Sequence, residues 1–110
     1  MDTKQLTYVG IGRLEDFEER IGRVVRIGGE EIAVFRTTEG RIFALENRSP
    51  GPRGGTLADG IVSGAVLFDP ICDWRIGLAD GVVLAPDTGQ VRTYPVQIED
   101  GEVRIGRNPA

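Results

Sequence analysis

The sequence contains no histidine and only one cysteine, Cys72. The absence of histidine excludes imidazole general bases, His–Cys dyads and histidine-ligated metals. A single cysteine excludes an internal disulfide, and a free cysteine with no histidine to activate it is more often a small buried side chain than a nucleophile. The composition therefore offers no activated nucleophile and no histidine-based catalytic or metal site.

Long apolar runs and concentrated positive charge are also missing. No stretch approaches the roughly 20 apolar residues that cross a bilayer, and the polar start at residues 1–5 is unlike a secretion signal. The formal net charge is -4, and the arginines are spread singly along the chain, which argues against nucleic-acid binding. The sequence predicts a cytoplasmic protein that binds neither membranes nor nucleic acid.

Glycine is abundant, with 16 residues in a chain of 110. Several of them follow Asp or Glu, and such pairs supply the positive φ angles that hairpin turns require. The length suits one compact domain, and no composition shift marks a linker. We expect a single domain over residues 1–110, built from many short strands.

Alternating apolar residues predict strands, with a short helical turn or ordered loop at 13–20. In the segments 21–27 and 31–37, the alternation of Val25 and Ile27, then of Ile32 and Val34, is typical of half-buried strands. The last residues, 108–110, are expected to fray. The predicted strands are 6–12, 21–27, 31–37, 41–46, 61–68 (bent or paired about Gly64), 74–78, 82–84, 94–99 and 102–105.

Nine or ten short antiparallel strands predict an all-β sandwich or a partly open barrel. Two segments interrupt the strands and are predicted loops: 47–60, which is rich in Gly and Pro, and 69–73, which contains Pro70 between acidic residues. With the apolar run between them and Trp74 after them, they form a two-loop subdomain over residues 47–74.

Three segments carry a resemblance to a known family. FALENRSPGPRGGTLADGIVSG (43–64) and FDPICDWRIGLADG (68–81) resemble the two cluster-binding loops of Rieske-type [2Fe-2S] domains. The tail APDTGQVRTYPVQIEDGEVRI (85–105) narrows the resemblance to the small subunit of assimilatory NAD(P)H-dependent nitrite reductase. Together the similarity covers residues 21–105.

A Rieske cluster is held by two thiolates on one iron and two imidazoles on the other. The resemblance places these ligands at Ser49, Gly51, Asp69 and Cys72, and none of the four keeps its ligand. The chain supplies one thiol and no imidazole. The resemblance therefore implies a member of the family without a cluster. A zinc site on Ser49, Asp69, Cys72 and Asp73 is the alternative, but one thiolate among carboxylates would be unusual for zinc.

Without a cluster, the two loops need another connection. Asp69 is expected to accept hydrogen bonds from Ser49 or from backbone N–H groups of the opposite loop. Arg48, Arg53 and Asp73 at the loop tips, together with Trp74 beside them, are candidate partner contacts. The alternative interpretations are solvated charges for the three polar residues and core packing for Trp74.

The resemblance implies a non-catalytic small subunit that supports a large subunit carrying siroheme, an iron–sulfur cluster and FAD. That large subunit would reduce nitrite to ammonia with electrons from NAD(P)H. Two alternatives remain open. One is a free-standing Rieske-type ferredoxin, and the other is a cluster-free Rieske-like module that binds an unrelated partner.

Overall fold

The computed structural model describes residues 6–107, so the expectations for residues 1–5 and 108–110 lie outside the described part of the chain. Two single 3-10 turns, Leu14–Asp16 and Leu57–Asp59, accompany ten strands. No helix among the described residues is long and apolar enough to cross a membrane. The strands are β1 Thr7–Arg13, β2 Arg23–Ile27, β3 Glu30–Arg36, β4 Ile42–Glu46, β5 Ile61–Ser63, β6 Val66–Phe68, β7 Arg75–Gly77, β8 Thr93–Tyr94, β9 Val96–Glu99 and β10 Glu102–Arg107.

The strands form three antiparallel sheets, in the orders β1-β10-β9, β2-β3-β4-β8 and β5-β6-β7. The predicted meander β2-β3-β4 is confirmed, and its first turn uses Gly28 and Gly29 at φ of 56° and 84°. Only glycine adopts two consecutive positive φ angles at little cost, so this pair suits a tight hairpin. The predicted all-β antiparallel fold is confirmed, and the three sheets form no closed barrel within residues 6–107.

The second sheet lies between two apolar cores, and its strand β3 is therefore buried on both faces. Ile32 and Val34 pack with the first sheet, whereas Ala33 and Phe35 pack with the third. All four side chains are fully buried. The prediction that β3 is half-buried was therefore wrong. The alternation of apolar residues indicates which side chains share a face. Because Ala33 is small, the sequence did not indicate that the second face of β3, which carries Ala33 and Phe35, is also buried.

Two predicted strands differ in the structure. The segment 94–99 divides at Pro95 into β8 and β9, which belong to different sheets. Proline has no N–H to donate to a ladder, so the chain changes sheets there. The segment 82–84 forms only isolated bridges, in which Val83 pairs with Ile76 and Val82 pairs with Gln90. The predicted short turn at 13–20 is confirmed by the 3-10 turn Leu14–Asp16.

Candidate functional site

The first loop, residues 47–60, is closed by the side chain of Asn47. Its Oδ1 accepts a hydrogen bond of 2.8 Å from the Ala58 backbone N–H, so the start and the end of the loop are joined. Its Nδ2 donates to Glu31 Oε1 at 3.2 Å, which fixes the loop to β3. Sequence reasoning missed this residue, although an Asn directly after a strand commonly bonds nearby backbone groups.

The second loop, residues 69–73, is a tight turn between β6 and β7. The Asp69 N–H donates to the Trp74 carbonyl at 2.8 Å, and the Asp73 N–H donates to the Asp69 carbonyl at 3.0 Å. Asp73 takes a φ of 63°, a left-handed conformation that Asp tolerates better than most residues. The loop therefore projects from the sheet as a compact tip.

The structure brings together the four positions that correspond to cluster ligands. The Ser49 hydroxyl donates a hydrogen bond to Asp69 Oδ2 across the two loops. A Cβ on Gly51 would lie 3.1 Å from Cys72 Sγ and 3.2 Å from Ser49 Oγ. The Gly51 N–H also donates to Ser49 Oγ at 3.0 Å. The expected hydrogen bond between Ser49 and Asp69 is confirmed.

Asp69 also bonds within its own loop. Its Oδ1 accepts from the backbone N–H groups of Ile71 at 2.8 Å and Cys72 at 3.1 Å. Of the two expected sources, Ser49 is confirmed, whereas the backbone N–H groups that bond Asp69 belong to its own loop and not to the opposite one. A carboxylate at the start of a turn reaches the N–H groups two and three residues ahead more readily than those of a separate segment.

The hydrogen bonds to Asp69 change its acidity. Burial raises the pKa of the Asp69 carboxyl, but the Ser49 hydroxyl and the N–H groups of Cys72 and Ile71 stabilise the anion. Their combined effect is larger, so the pKa lies below the ordinary value for Asp. Asp69 is 1% exposed and is therefore a buried carboxylate stabilised by hydrogen bonds rather than by a cation.

A [2Fe-2S] cluster does not fit this set of residues. Two thiolates and two imidazoles are needed, whereas the four positions offer one thiol, one hydroxyl, one carboxylate and no side chain at Gly51. Both oxygens of Asp69 are already hydrogen-bonded, and the space beside Gly51 is bounded by Ser49 and Cys72. Among the described residues, no three His, Cys, Asp or Glu side chains are grouped to hold a metal ion.

The candidate contact residues lie in the two loops or next to them. Arg48, Arg53 and Asp73 are exposed at the loop tips, and neither arginine forms a salt bridge within residues 6–107. Trp74 is partly buried against the larger core, as the packing alternative predicted. Sequence reasoning missed Ile71, which is 48% exposed at the tip of the second loop. A single apolar residue between Pro and Cys gives no sign of its exposure.

With two loops tied at the end of a three-sheet fold, the chain has the architecture of a Rieske-type domain. Residues 7–106 match the family model of the Rieske-like [2Fe-2S] domain, and the chain belongs to this family. The family match covers nearly all the described residues. The four positions that correspond to cluster ligands nevertheless hold residues other than the family's Cys and His.

Two curated relatives and one solved structure are similar to this chain. The nitrite reductase [NAD(P)H] large subunit of Klebsiella oxytoca is 31% identical over 84% of this chain, which spans only 10% of that relative's length. The ferredoxin component of the naphthalene 1,2-dioxygenase/salicylate 5-hydroxylase systems of a Ralstonia species is also 31% identical, over 84% of this chain and 88% of its own. A proposed NADH-dependent nitrite reductase small subunit from Mycobacterium tuberculosis shares the fold at a TM-score of 0.87, with 21% identity over 96% of this chain and 99% of its own.

Proposed function

We propose that this chain is a cluster-free, non-catalytic small subunit of an assimilatory NAD(P)H-dependent nitrite reductase. The observation that carries the proposal is the hydrogen bond between Ser49 and Asp69, which joins the two loops where the family places its cluster. The loops keep their arrangement through side-chain and backbone bonds that need no metal. An electron carrier would need the cluster, whereas a subunit that only binds a partner does not.

The similarities support nitrite reductase as the partner. The Klebsiella oxytoca relative is a nitrite reductase large subunit, and the matching segment is a tenth of its length. A domain like this one is therefore joined covalently to the rest of that reductase. In the proposed assembly the same association is made between separate chains, in the cytoplasm. The large subunit would hold the siroheme, the iron–sulfur cluster and the FAD, and would carry out nitrite reduction.

The proposed contact surface is the pair of loop tips, which carries two exposed arginines on a chain of net charge -4. Neither arginine forms a salt bridge within residues 6–107, and both are exposed, although Arg48 lines a pocket together with Glu30, Glu31 and Glu46. Complementary charges at an interface increase the association rate and select the partner. Asp73 and Trp74, at the end of the second loop, complete the proposed surface.

Co-expression with the siroheme-containing large subunit of the same organism tests the proposal. We expect the two chains to copurify and the small subunit alone to be colourless, without iron or sulfide. The double variant Arg48→Gln/Arg53→Gln should weaken binding about tenfold and reduce its salt dependence, because it removes two unpaired charges.

The matched control is Arg13→Gln/Arg26→Gln, which changes the net charge equally but removes arginines that already pair with Glu15 and Glu31. It should bind like the wild type. Failure of the wild-type chain to copurify would refute the proposal. A red-brown small subunit with stoichiometric iron and sulfide would instead favour the ferredoxin alternative, which the similarity to the Ralstonia ferredoxin component supports.

A further inference from the structure

The segment 85–90 runs over the surface between Leu84 and Val91, which is buried in the larger core. Five of its six residues are exposed, and only Asp87 is half-buried. A segment that buries so few side chains of its own is held in place by the contacts that its backbone makes with neighbouring elements.

Hydrogen bonds hold both ends of this segment. Arg75 Nη2 donates to the Ala85 carbonyl at 2.8 Å, and the Arg75 carbonyl accepts from the Leu84 N–H, also at 2.8 Å. At the other end, the Val83 N–H donates to the Gly89 carbonyl at 3.0 Å. Arg75 begins β7, the strand that follows the second loop. The segment is therefore fastened to the strand at the end of that loop.

Gly89 brings the segment into contact with the two loops. A Cβ on Gly89 would lie 3.5 Å from Pro50 Cβ and 3.9 Å from Trp74 Cζ3. Pro50 belongs to the first loop, and Trp74 directly follows the second. The φ of Gly89 is 152°, a backbone conformation that residues with a side chain rarely adopt. Both the close approach and the conformation therefore favour glycine at this position.

These contacts add a third element to a site that holds no cluster ligands. In a Rieske domain the cluster itself joins the two loops. Here one connection is the hydrogen bond between Ser49 and Asp69. We propose that residues 85–90 form a strap that supplies a second connection by holding the first loop against Trp74, with Arg75 as the residue that positions the strap. This inference concerns the chain by itself and goes beyond the proposed function.

The strap can open while the rest of the domain stays folded. Arg75 is exposed, so water competes for its hydrogen bond to the Ala85 carbonyl. The bond between Ser49 and Asp69 and the two apolar cores do not depend on it. Release of the strap therefore uncovers Trp74 and loosens the first loop, whereas the second loop keeps its own backbone bonds to Asp69.

Amide hydrogen exchange by NMR on the full chain tests the strap, together with acrylamide quenching of Trp74, the single tryptophan. The variant Arg75→Met keeps an apolar stem and removes every donor. We expect the Ser49 and Gly51 N–H groups of the first loop to exchange about fivefold faster, because one hydrogen bond of ordinary net strength changes a local equilibrium by that factor. Quenching of Trp74 should also increase, while the N–H groups of the second loop exchange as in the wild type.

The matched control for this variant is Arg13→Met. Arg13 is also an exposed arginine that donates to a backbone carbonyl in a turn, that of Asp100 at 3.1 Å. Its replacement should leave both the exchange of the first loop and the quenching of Trp74 unchanged.

Gly89→Val tests the other contact of the strap. Its branched side chain would meet Pro50 and Val83, whose Cγ2 lies 3.3 Å from an added Cβ, so it should give the same pattern as Arg75→Met. Gly64→Val is its control, since Gly64 also has a positive φ, of 61°, but no atom lies within 4 Å of an added Cβ. The control should leave the first loop and Trp74 as in the wild type.

Wild-type exchange and quenching in both Arg75→Met and Gly89→Val would overturn the inference. Faster exchange spread evenly over β3 and the second loop would overturn it too, because that is the result of a general loss of stability and not of a released strap. If Gly89→Val does not fold, Arg75→Met decides by itself. No partner is present in these measurements, so their failure would leave the proposed function intact.

Discussion

Among single residues, Asp69 contributes most to joining the two loops. It is buried, lies 20 residues from Ser49 in the chain, and accepts hydrogen bonds from the Ser49 hydroxyl and from two backbone N–H groups. A buried carboxylate is costly unless it is hydrogen-bonded. Here three donors stabilise the anion, so Asp69 joins the first loop to the second without a metal.

Replacing this carboxylate by an amide tests its contribution. In Asp69→Asn the amide nitrogen faces a hydroxyl that has lost its acceptor, and the free energy of unfolding should fall by about 1–3 kcal/mol in urea denaturation at pH 7. Asp59→Asn is the control, because Asp59 is exposed and, within residues 6–107, accepts a side-chain hydrogen bond from Thr56 Oγ1 alone. The control should change stability by less than about 0.5 kcal/mol.

The same pair of variants gives an expected pH dependence. Because folding lowers the pKa of Asp69, its contribution is complete above the ordinary Asp pKa of about 3.9 and is lost as the pH falls through the lower folded-state value. The wild type should therefore lose more stability between pH 6 and pH 3 than Asp69→Asn does. Equal losses in the wild type and Asp69→Asn would show that Asp69 is not the group responsible.

At the scale of elements, the first loop is held by its packing against β3. The 3-10 turn Leu57–Asp59 ends the loop, and its Leu57 and Ala58 are buried in the same core as Phe35. Gly22, directly before β2, lies against both the turn and the strand, because a Cβ there would lie 2.7 Å from Phe35 Cε1 and would overlap the Ala58 carbonyl oxygen. Because Gly22 has no side chain, the 3-10 turn at Ala58 can pack directly against Phe35 of β3.

Gly22→Ala should separate the turn from β3. The added methyl group meets backbone that cannot rotate away, so we expect the free energy of unfolding to fall by about 1–3 kcal/mol in urea denaturation. Gly10→Ala is the matched control, since its methyl group would meet only the carboxylate end of the flexible Glu102 side chain. If both substitutions have the same small effect, the contact at Gly22 does not support the loop.

Across the whole molecule, two apolar cores flank the sheet β2-β3-β4-β8. One core joins it to β1-β10-β9, and the other joins it to β5-β6-β7. The first loop connects β4 to β5, and the second connects β6 to β7. Both cores consist of apolar side chains, and the loops are tied by hydrogen bonds. The stability of this arrangement therefore comes from burial and hydrogen bonding.

Metal removal tests this description of the whole molecule. If the chain folds without a cluster, as proposed, its melting temperature should be unchanged by EDTA and by dithionite, since neither reagent acts on hydrogen bonds or apolar contacts. A cluster-loaded Rieske ferredoxin treated in parallel is the control and should be destabilised. Loss of cooperative melting in this chain after chelation would contradict the proposal.

Much of this fold was predictable from local patterns. The β2-β3-β4 meander, the turn at Gly28 and Gly29, and both loops follow from alternating apolar residues and from the positions of Gly and Pro. The four positions that correspond to cluster ligands were predicted from the resemblance, because the sequence segments on either side of them resemble those of the family. These features depend on neighbours in the chain.

Reading the residues is enough to establish that this chain holds one thiol and no imidazole, and which residues occupy the four positions. The folded chain was needed to show that Ser49 bonds Asp69, that Asn47 closes the first loop, and that β3 is buried on both faces. Strand alternation specifies which side chains share a face, whereas what covers that face depends on segments distant in the chain. Ile61 and Leu84 remain exposed for that reason, because no segment among residues 6–107 packs over them.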